Sequence, residues 1–260
     1  PVHCRKKKWL HSRVRLESQC HNLLNLNISK TAVISFTRKQ HPCHYTYSLD
    51  SVHIRRESSY KDLGLHLDSS LTFHTHVTQL CNFAMRKLGI ISRITKNFRD
   101  PSCFLRLFFS TVLPLLEFAS VAWNCLSITQ SADIENVQRR FIFVFHLRHL
   151  GCSTYYNYDH ILNKLSIFTL SHRRTIRDCH FLYKLIHSVI ACPELLSCIN
   201  FRVPSRSLRS HLLFYPHSFA KLHPINRLQL MFNSALQYHD IDIFAPSRDF
   251  LTSISAIVSI

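Results

Sequence analysis

Along residues 73–97 the apolar positions recur with the spacing of one helix face. The positions that share this face are Val77, Leu80, Cys81, Ala84, Leu88 and Ile91. Arg86 and Arg93, seven residues apart, fall on the opposite face, with Lys96 beside them. This pattern predicts a helix whose apolar stripe packs on a core. Its basic side either faces phosphate groups or is an ordinary solvated surface.

Two further helices are predicted directly after this one. Asp100 and Pro101 are residue types preferred at the cap and at the first position of a helix, so a helix is expected over 101–125. Pro114 is expected to kink or break it, because proline has no backbone N–H to donate. A third helix over 132–147 has an apolar face and two arginines off that face, namely Ile134, Val137, Phe141 and Phe145, and Arg139 and Arg140. Short connections between the three helices predict a bundle.

After residue 150 the patterns indicate more helices and one basic extended stretch. A helix is predicted over 169–191, and a last short helix over 224–236. The apolar face of the first of these consists of Phe181, Leu182, Leu185, Ile186 and Val189. Residues 201–210 combine Pro and Ser with Arg206 and Arg209. That composition suits contacts with phosphate groups, although an ordinary exposed loop has the same composition.

Before residue 73 the patterns indicate one helix and several short strands. The helix is expected over 9–24, where the periodicity is loose. Residues 31–37 are β-branched and aromatic, which predicts a strand. The pieces 45–49 and 52–54 are expected to form a hairpin. Over 60–68 leucines alternate with polar residues and glycine, which is the period of a half-buried strand.

Gly64 lies inside that last predicted strand, and the chain has only three glycines. A glycine inside a strand marks either a bulge or a place where a ligand or another backbone comes close. Taken together, the patterns predict an α+β fold that is mostly α. We expect three parts: a small antiparallel β region in 1–72, a three-helix bundle in 73–150 and further helices in 151–260.

The charge balance favours a negatively charged partner. The chain has 32 Lys and Arg against 15 Asp and Glu, and its net charge is +17. Such an excess favours binding to a polyanion, with nucleic acid as the first expectation and an anionic membrane surface as the alternative. The most apolar run, over 103–123, is interrupted by Arg106, Pro114 and Glu117, which argues against a transmembrane helix. Charge alone does not choose between nucleic acid and a membrane surface. No strongly amphipathic basic helix with a Trp-rich apolar face is visible, so we predict RNA and DNA as partners and no membrane.

Cysteine and histidine are abundant, but their spacing does not form a metal site. The ten cysteines are scattered and include no CxxC, so free thiols are expected rather than a zinc finger or a disulfide framework. We find no arrangement typical of a Ser or Cys nucleophile, no P-loop and no GxGxxG. The sequence therefore predicts no bound metal and no catalytic residue of these classes.

Several segments, in order, resemble one family. They are YKDLGLHLDSSLTFHTHV at 60–77, LRLFFSTVLPLLEFASVAWN at 105–124, ENVQRRF at 135–141 and FRVPSRSLRS at 201–210. The segment with Asn27, Lys30 and Thr31 resembles a further motif. These segments resemble the C-terminal part of reverse transcriptases of non-LTR retrotransposons, the LINE type, and most closely the jockey-like group. Gln19 and Cys20 depart from the pattern, since the family usually has a Trp-Cys pair there.

The resemblance implies a set of roles. Residues 1–72 would be the end of the polymerase palm, with a primer grip around Gly64, and 73–150 would be the thumb that clasps the template–primer duplex. Lys30 would match a lysine suspected of assisting proton transfer to pyrophosphate, and it is the one candidate for a chemical role. The residues expected to contact nucleic acid are Lys61, Gly64, Arg86, Arg93, Lys96, Arg139, Arg140, Arg206 and Arg209.

The carboxylates that hold the catalytic metals in that family are missing. Nucleotide addition there needs two Mg²⁺ ions held by palm carboxylates, two of them from an Asp-Asp turn, and the 260 residues contain no Asp-Asp pair. We therefore expect a fragment that needs no cofactor itself and is inactive alone, whereas a full-length parent would need Mg²⁺ and the upstream palm and fingers. The parent would act in the nucleus or cytoplasm. The alternative is a non-enzymatic basic module that binds nucleic acid.

Overall fold

The computed structural model describes residues 27, 30–37, 45–49, 51–151, 155–203, 212–216, 223–236 and 241–257. Contacts along the chain divide it into two compact units, Pro1–Leu71 and Thr72–Ile260. Within the described residues the first unit contains the strands, and the second contains the long helices. The expected α+β, mostly α, composition is therefore confirmed. The helix predicted over 9–24 lies outside the described residues.

Short strands in the first unit form three two-stranded sheets. The strands are β1 (Ala32–Ile34), β2 (Ser48–Leu49), β3 (Val52–His53), β4 (Arg55–Glu57), β5 (Ser59–Asp62) and β6 (Leu65–Asp68). The pairs β2–β3 and β5–β6 are antiparallel, which confirms the hairpin predicted over 45–54. The pair β1–β4 is parallel, so the expectation of a purely antiparallel region is wrong. Arg56 on β4 fastens this pair by donating to the Ser35 hydroxyl and, at 2.7 Å, to the Tyr45 carbonyl oxygen.

The single strand predicted over 60–68 is wrong, because the chain reverses in its middle. Asp62 pairs with Leu65, so Leu63 and Gly64 form a two-residue hairpin turn. Their φ angles are 45° and 86°, as the twist of a tight hairpin requires. The Leu63 side chain is 85% exposed, so it does not belong to the apolar face that its spacing suggested. Gly64 is neither in a bulge nor inside a strand, and its positive φ explains why a glycine is found there.

Ten helices are found among the described residues of the second unit. They are α1 (His74–Ile94), α2 (Pro101–Leu107), α3 (Leu113–Glu117), α4 (Ser120–Trp123), α5 (Ile128–Phe145), α6 (Tyr158–Leu165), α7 (Leu170–Ile186), α8 (Pro193–Leu196), α9 (Pro224–Leu236) and α10 (Ser247–Ile257). Helix α1 packs chiefly on α5, and the turn between α2 and α3 also contacts α1. Helix α7 contacts α4, α5, α9 and α10, so it joins the N-terminal helices of this unit to its C-terminal helices.

Helix α1 confirms the face that its spacing predicted. Val77, Ala84, Leu88 and Ile91 are buried, and the other two positions of the stripe are half-buried. The helix ends at Thr95, whose buried hydroxyl donates to the Ile91 carbonyl oxygen at 2.8 Å. This contact closes the last turn without a glycine.

The predicted helix over 101–125 is divided into three pieces. Asp100 caps the first piece, since its carboxylate accepts from the Ser102 N–H at 2.8 Å. A π-helical turn over Phe108–Val112 then widens the backbone directly before Pro114. A wide turn makes room for the proline ring and needs no N–H from it. The chain breaks later than predicted, at Phe118 and Ala119, where Ala119 has a φ of 50°.

Aromatic rings from three elements form the core between α1, α2 and α5. The ring of Phe141 on α5 stacks on Phe108, with 3.8 Å between ring centroids, and lies 4.9 Å from Phe104. All three rings are buried, as are Ile134, Val137 and Phe145, so the predicted face of α5 is confirmed. Helix α5 begins earlier than predicted, because Ser127 and Gln130 cap each other's backbone N–H groups.

The C-terminal helices surround a second core. Leu182, Leu185, Phe232, Phe250 and Ile254 are buried together there. The bounds predicted for the last short helix, 224–236, are confirmed. The helix predicted over 169–191 ends earlier, at Ile186, so that Val189 is exposed. Helix α10 was not predicted, although Phe250 and Ile254 have helical spacing.

Candidate nucleic-acid interface

In the first unit, the candidate for a chemical role, Lys30, lies near the predicted contact residue Lys61. The Tyr60 hydroxyl, on β5, donates to the carbonyl oxygen of Lys30 at 3.1 Å. Lys61 is the next residue of β5, where it pairs with His66. Both lysine side chains are exposed, and Gly64 lies in the turn at the end of the same hairpin. This hairpin therefore presents Lys61 near a turn in which Gly64 has no side chain and Leu63 is exposed.

The outer face of α1 carries three more of the predicted contact residues. Arg86, Arg93 and Lys96 are exposed, the last of them just beyond the helix. Within the part of the chain that the structure describes, none of the three forms an ion pair with a carboxylate. The sequence did not indicate that this face is also apolar, with Phe83, Ile90 and Ile94 exposed.

Two cations of this face lie over the exposed ring of Phe83. The Arg86 guanidinium lies 5.7 Å from the centre of the Phe83 ring, and the Lys87 ammonium lies 5.5 Å from it. An aromatic ring attracts a cation through its quadrupole, but it does not neutralise the charge. The two cations therefore remain able to attract an anion.

Arg139 and Arg140 on α5 are exposed, but their environments differ. The Arg139 guanidinium lies 5.4 Å from the centre of the Tyr158 ring and contacts the Asn136 side chain at 3.5 Å. Arg140 lies 5.7 Å from the centre of the Phe143 ring. Arg139 is held by more contacts, so it is the less free of the two to move toward a phosphate.

Arg206 and Arg209 lie outside the described residues, but the two ends of their segment are defined. Phe201 and Phe214 form an isolated antiparallel bridge. The Arg202 N–H donates to the Leu213 carbonyl oxygen at 2.9 Å, and the Tyr215 N–H donates to Asn200 at 2.8 Å. The chain thus leaves and re-enters the second core at neighbouring points.

Of the nine carboxylates described in the second unit, three are buried and six are exposed. Glu117, Glu135 and Asp178 are buried. Glu117 accepts hydrogen bonds from both Arg173 and Arg177 on α7. No sequence motif signalled the pairing of Glu117 with α7. Helix α1 contains no acid, since the sequence has none between Asp68 and Asp100, so its exposed cations have no carboxylate on the same helix.

Glu135 fastens α5 to the elements around it. Its two oxygens accept from the Tyr158 hydroxyl at 2.5 Å and from the Leu170 N–H at 3.0 Å. Burial, and then the hydrogen bond to Glu135, raise the pKa of Tyr158 above its ordinary value. The Glu135 carboxylate therefore lies against the N-terminus of α7, where the helix dipole favours negative charge.

Asp178 is the most deeply buried acid of this unit. It accepts from the Asn124 side chain at 2.7 Å, and Arg227 on α9 lies 3.5 Å away. Burial raises the pKa of Asp178 from 3.8 to about 6, against the opposing effects of Arg227, Asn124 and Arg174. The same desolvation lowers the pKa of the buried Arg174 guanidinium. This cluster joins α4, α7 and α9.

No metal site is found among the described residues, where no group of three or more His, Cys, Asp or Glu side chains converges. The described cysteines are free thiols, and burial raises the pKa of Cys179 to about 12 and that of Cys81 to about 11. Thiols with such pKa values are poor nucleophiles. In the described part of the chain, no helix is both long and apolar enough to cross a bilayer.

Comparison of the chain with models of protein families, with curated proteins and with solved structures finds no match.

Proposed function

We propose that this chain is the C-terminal portion of a reverse transcriptase of a non-LTR retrotransposon, of the jockey-like group, and that it holds nucleic acid. The order of the motif-like segments along 60–210 supports this proposal. Two of these segments, at 60–77 and 135–141, end on α1 and lie on α5, and these two helices pack on each other. A cluster of helices with an apolar interior and a basic exterior suits the thumb that the resemblance implies.

The observation that carries the contact with nucleic acid is the uncompensated charge on the outer face of α1. Arg86, Arg93 and Lys96 are exposed there, whereas Glu117 and Asp178 of the same unit are buried in internal pairs. Cations of this kind displace the counterions that surround a phosphate backbone. The expected binding is therefore electrostatic and insensitive to base sequence.

Salt dependence tests this proposal. We expect the chain to bind a labelled 20-base-pair duplex, with the logarithm of affinity falling linearly with the logarithm of salt concentration. Each phosphate contact contributes about 0.9 to that slope, so the double variant Arg86→Gln/Arg93→Gln is expected to reduce it by about 2. Fluorescence anisotropy at several salt concentrations measures both slopes.

A matched control removes the same charge elsewhere in the same unit. Lys164→Gln/Arg248→Gln alters two exposed cations on α6 and α10. We expect this variant to keep the original slope within about 0.5, since it removes no proposed phosphate contact. Equal losses in the two double variants, or no binding at low salt, would contradict the proposal.

Nucleotide addition by the 260 residues alone is not expected. The sequence has no Asp-Asp pair to hold Mg²⁺, so Lys30 has no metal-bound pyrophosphate to protonate. Primer extension with Mg²⁺, template and primer measures this directly. Incorporation by this chain alone would show that the assignment of its parts is wrong.

A further inference from the structure

The turn that follows α1 displays one aromatic ring among cations. The Phe98 side chain is 46% exposed, and Lys96 and Arg99 lie on either side of it in the chain. Arg93 is on the last turn of the helix, and Ile94 beside it is also exposed. The exposed face of this ring is open to a ligand that can stack on it.

Arg148 holds the end of α1, directly before this turn, in place. The Arg148 guanidinium donates to the Ser92 carbonyl oxygen at 2.7 Å and to the Thr95 hydroxyl at 3.2 Å. It also lies 5.2 Å from the centre of the Phe104 ring. Hydrogen bonds from Lys96 N–H to Arg93 and from Phe98 N–H to Thr95 complete the turn. The ring is therefore presented on a backbone that is already ordered, which lowers the entropic cost of binding.

The charge around the ring is strongly positive. Four cations are exposed on this short segment and on the helix that follows it, namely Arg93, Lys96, Arg99 and Arg106. Asp100 is the acid within this segment, and Arg106 and His149 interact with it electrostatically. Its carboxylate accepts from the Ser102 hydroxyl and N–H, which lower the pKa of Asp100. The Asp100 carboxylate therefore stays charged, and four exposed cations against this one acid leave the segment positive.

We propose that this corner, formed by Phe98 with Arg93, Lys96, Arg99 and Arg106, binds single-stranded nucleic acid. One unpaired base stacks on the exposed face of Phe98, and the phosphates on either side of that base contact the cations. This inference rests on the proposed function. It adds that the nucleic acid is single-stranded and that it binds at the turn after α1.

The geometry favours a single strand over the other polyanions. In a duplex each base already stacks on its neighbours, so no base face is available to Phe98. An unpaired base has a free face that can stack on this ring. A membrane-surface site uses a broad apolar face with cations at its rim. Over 93–103 the exposed large apolar side chains are Ile94 and Phe98, and cations lie on both sides of the ring in the chain.

Replacement of the ring tests the stacking. We expect Phe98→Ala to weaken binding of the full chain to a labelled 12-nucleotide oligo(dT) by about tenfold, the usual effect of losing one stacked base. Binding to a 12-base-pair duplex is expected to change less than about twofold, since its contacts are with phosphates. Phe98→Trp is expected to keep the affinity, and oligo(dT) is expected to quench the fluorescence of the new tryptophan.

Phe118→Ala is the matched control, because Phe118 is another exposed phenylalanine of the same unit, at 57% exposure. It is expected to leave both affinities unchanged. Equal losses of single-strand and duplex binding in Phe98→Ala, or no loss, would overturn the single-strand site while leaving the proposed function standing. Absence of binding to any nucleic acid would overturn both. Phe98-dependent binding to phosphatidylcholine/phosphatidylserine vesicles, without binding to oligo(dT), would assign the corner to a membrane surface instead.

Discussion

The two units of this chain use their apolar residues in different ways. In the first unit, no residue of the described part is fully buried, and each strand pairs with only one other. In the second unit, rings such as Phe108, Phe141 and Phe232 are wholly removed from water. Because burial of apolar surface is the main stabilising term in folding, the described residues of the second unit contribute more of this term than those of the first.

The two units also differ in how firmly their cations are held. Among the described residues of the first unit, Arg55, Arg56 and Lys61 lie on short two-stranded sheets, which are at best marginally stable in water. Cations on α1 and in the turn after it lie on a helix that packs on α5. A binding site on a rigid element loses less entropy when it binds. The second unit is therefore expected to bind nucleic acid without the first.

Removing a ring from each unit is expected to give the largest contrast. Phe141→Ala is expected to lower the free energy of unfolding by about 3–5 kcal/mol, because it leaves a cavity where the ring stacks on Phe108. Phe36→Ala, which alters a ring of the first unit that is 42% exposed, is expected to cost less than about 1 kcal/mol. Urea unfolding followed by circular dichroism at 222 nm measures both. Similar losses would contradict the expected difference in burial between the two rings.

A pH titration tests the buried cluster of the second unit. The folded pKa of Asp178, about 6, is raised above the ordinary 3.8, so the contribution of this group to stability is fully present below pH 3.8 and is lost as pH rises through 6. The loss amounts to about 3 kcal/mol. Asp178→Asn cannot ionise, so it is expected to flatten this part of the stability profile between pH 4 and 7. An unchanged profile in the variant would mean that another group titrates.

The smallest expected effect is in the hairpin turn of the first unit. Leu63→Asn is expected to stabilise the β5–β6 hairpin by about 0.5–1 kcal/mol, since Asn accepts the positive φ that Leu63 adopts at 45°. Gly64→Ala, at a φ of 86°, is expected to destabilise it by a similar amount. Hydrogen exchange of the β5 and β6 amides reports on this hairpin alone. Equal protection in all three chains would contradict the turn geometry.

The sequence predicted well where one face of a long helix is buried. The stripe from Val77 to Ile91 determined α1, and Asp100 with Pro101 determined the start of α2, because caps and periodicity are local signals. The exposed arginines of α1 followed from the same periodicity. Of the candidate site, the exposure of these side chains was therefore predictable from sequence.

Features that depend on contacts between distant residues were not predictable. Leu63 fits the alternation of a strand, yet its backbone turns there, since Asp62 pairs with Leu65. Nothing near Thr95 in the sequence indicates that Arg148 holds it, some fifty residues away. The internal use of Glu117 likewise requires α7 to be in place. A surface of uncompensated charge is defined by where the acids are, and only the fold shows that.

The bridge between Phe201 and Phe214 has a practical consequence. Because the chain departs from the core and returns to it side by side, the connection between these two residues is a natural graft site. Lengthening a connection costs only a logarithmic increment of closure entropy, about 0.6 kcal/mol for each doubling. A reporter peptide or a different basic sequence can therefore be inserted there while the helices below keep their packing.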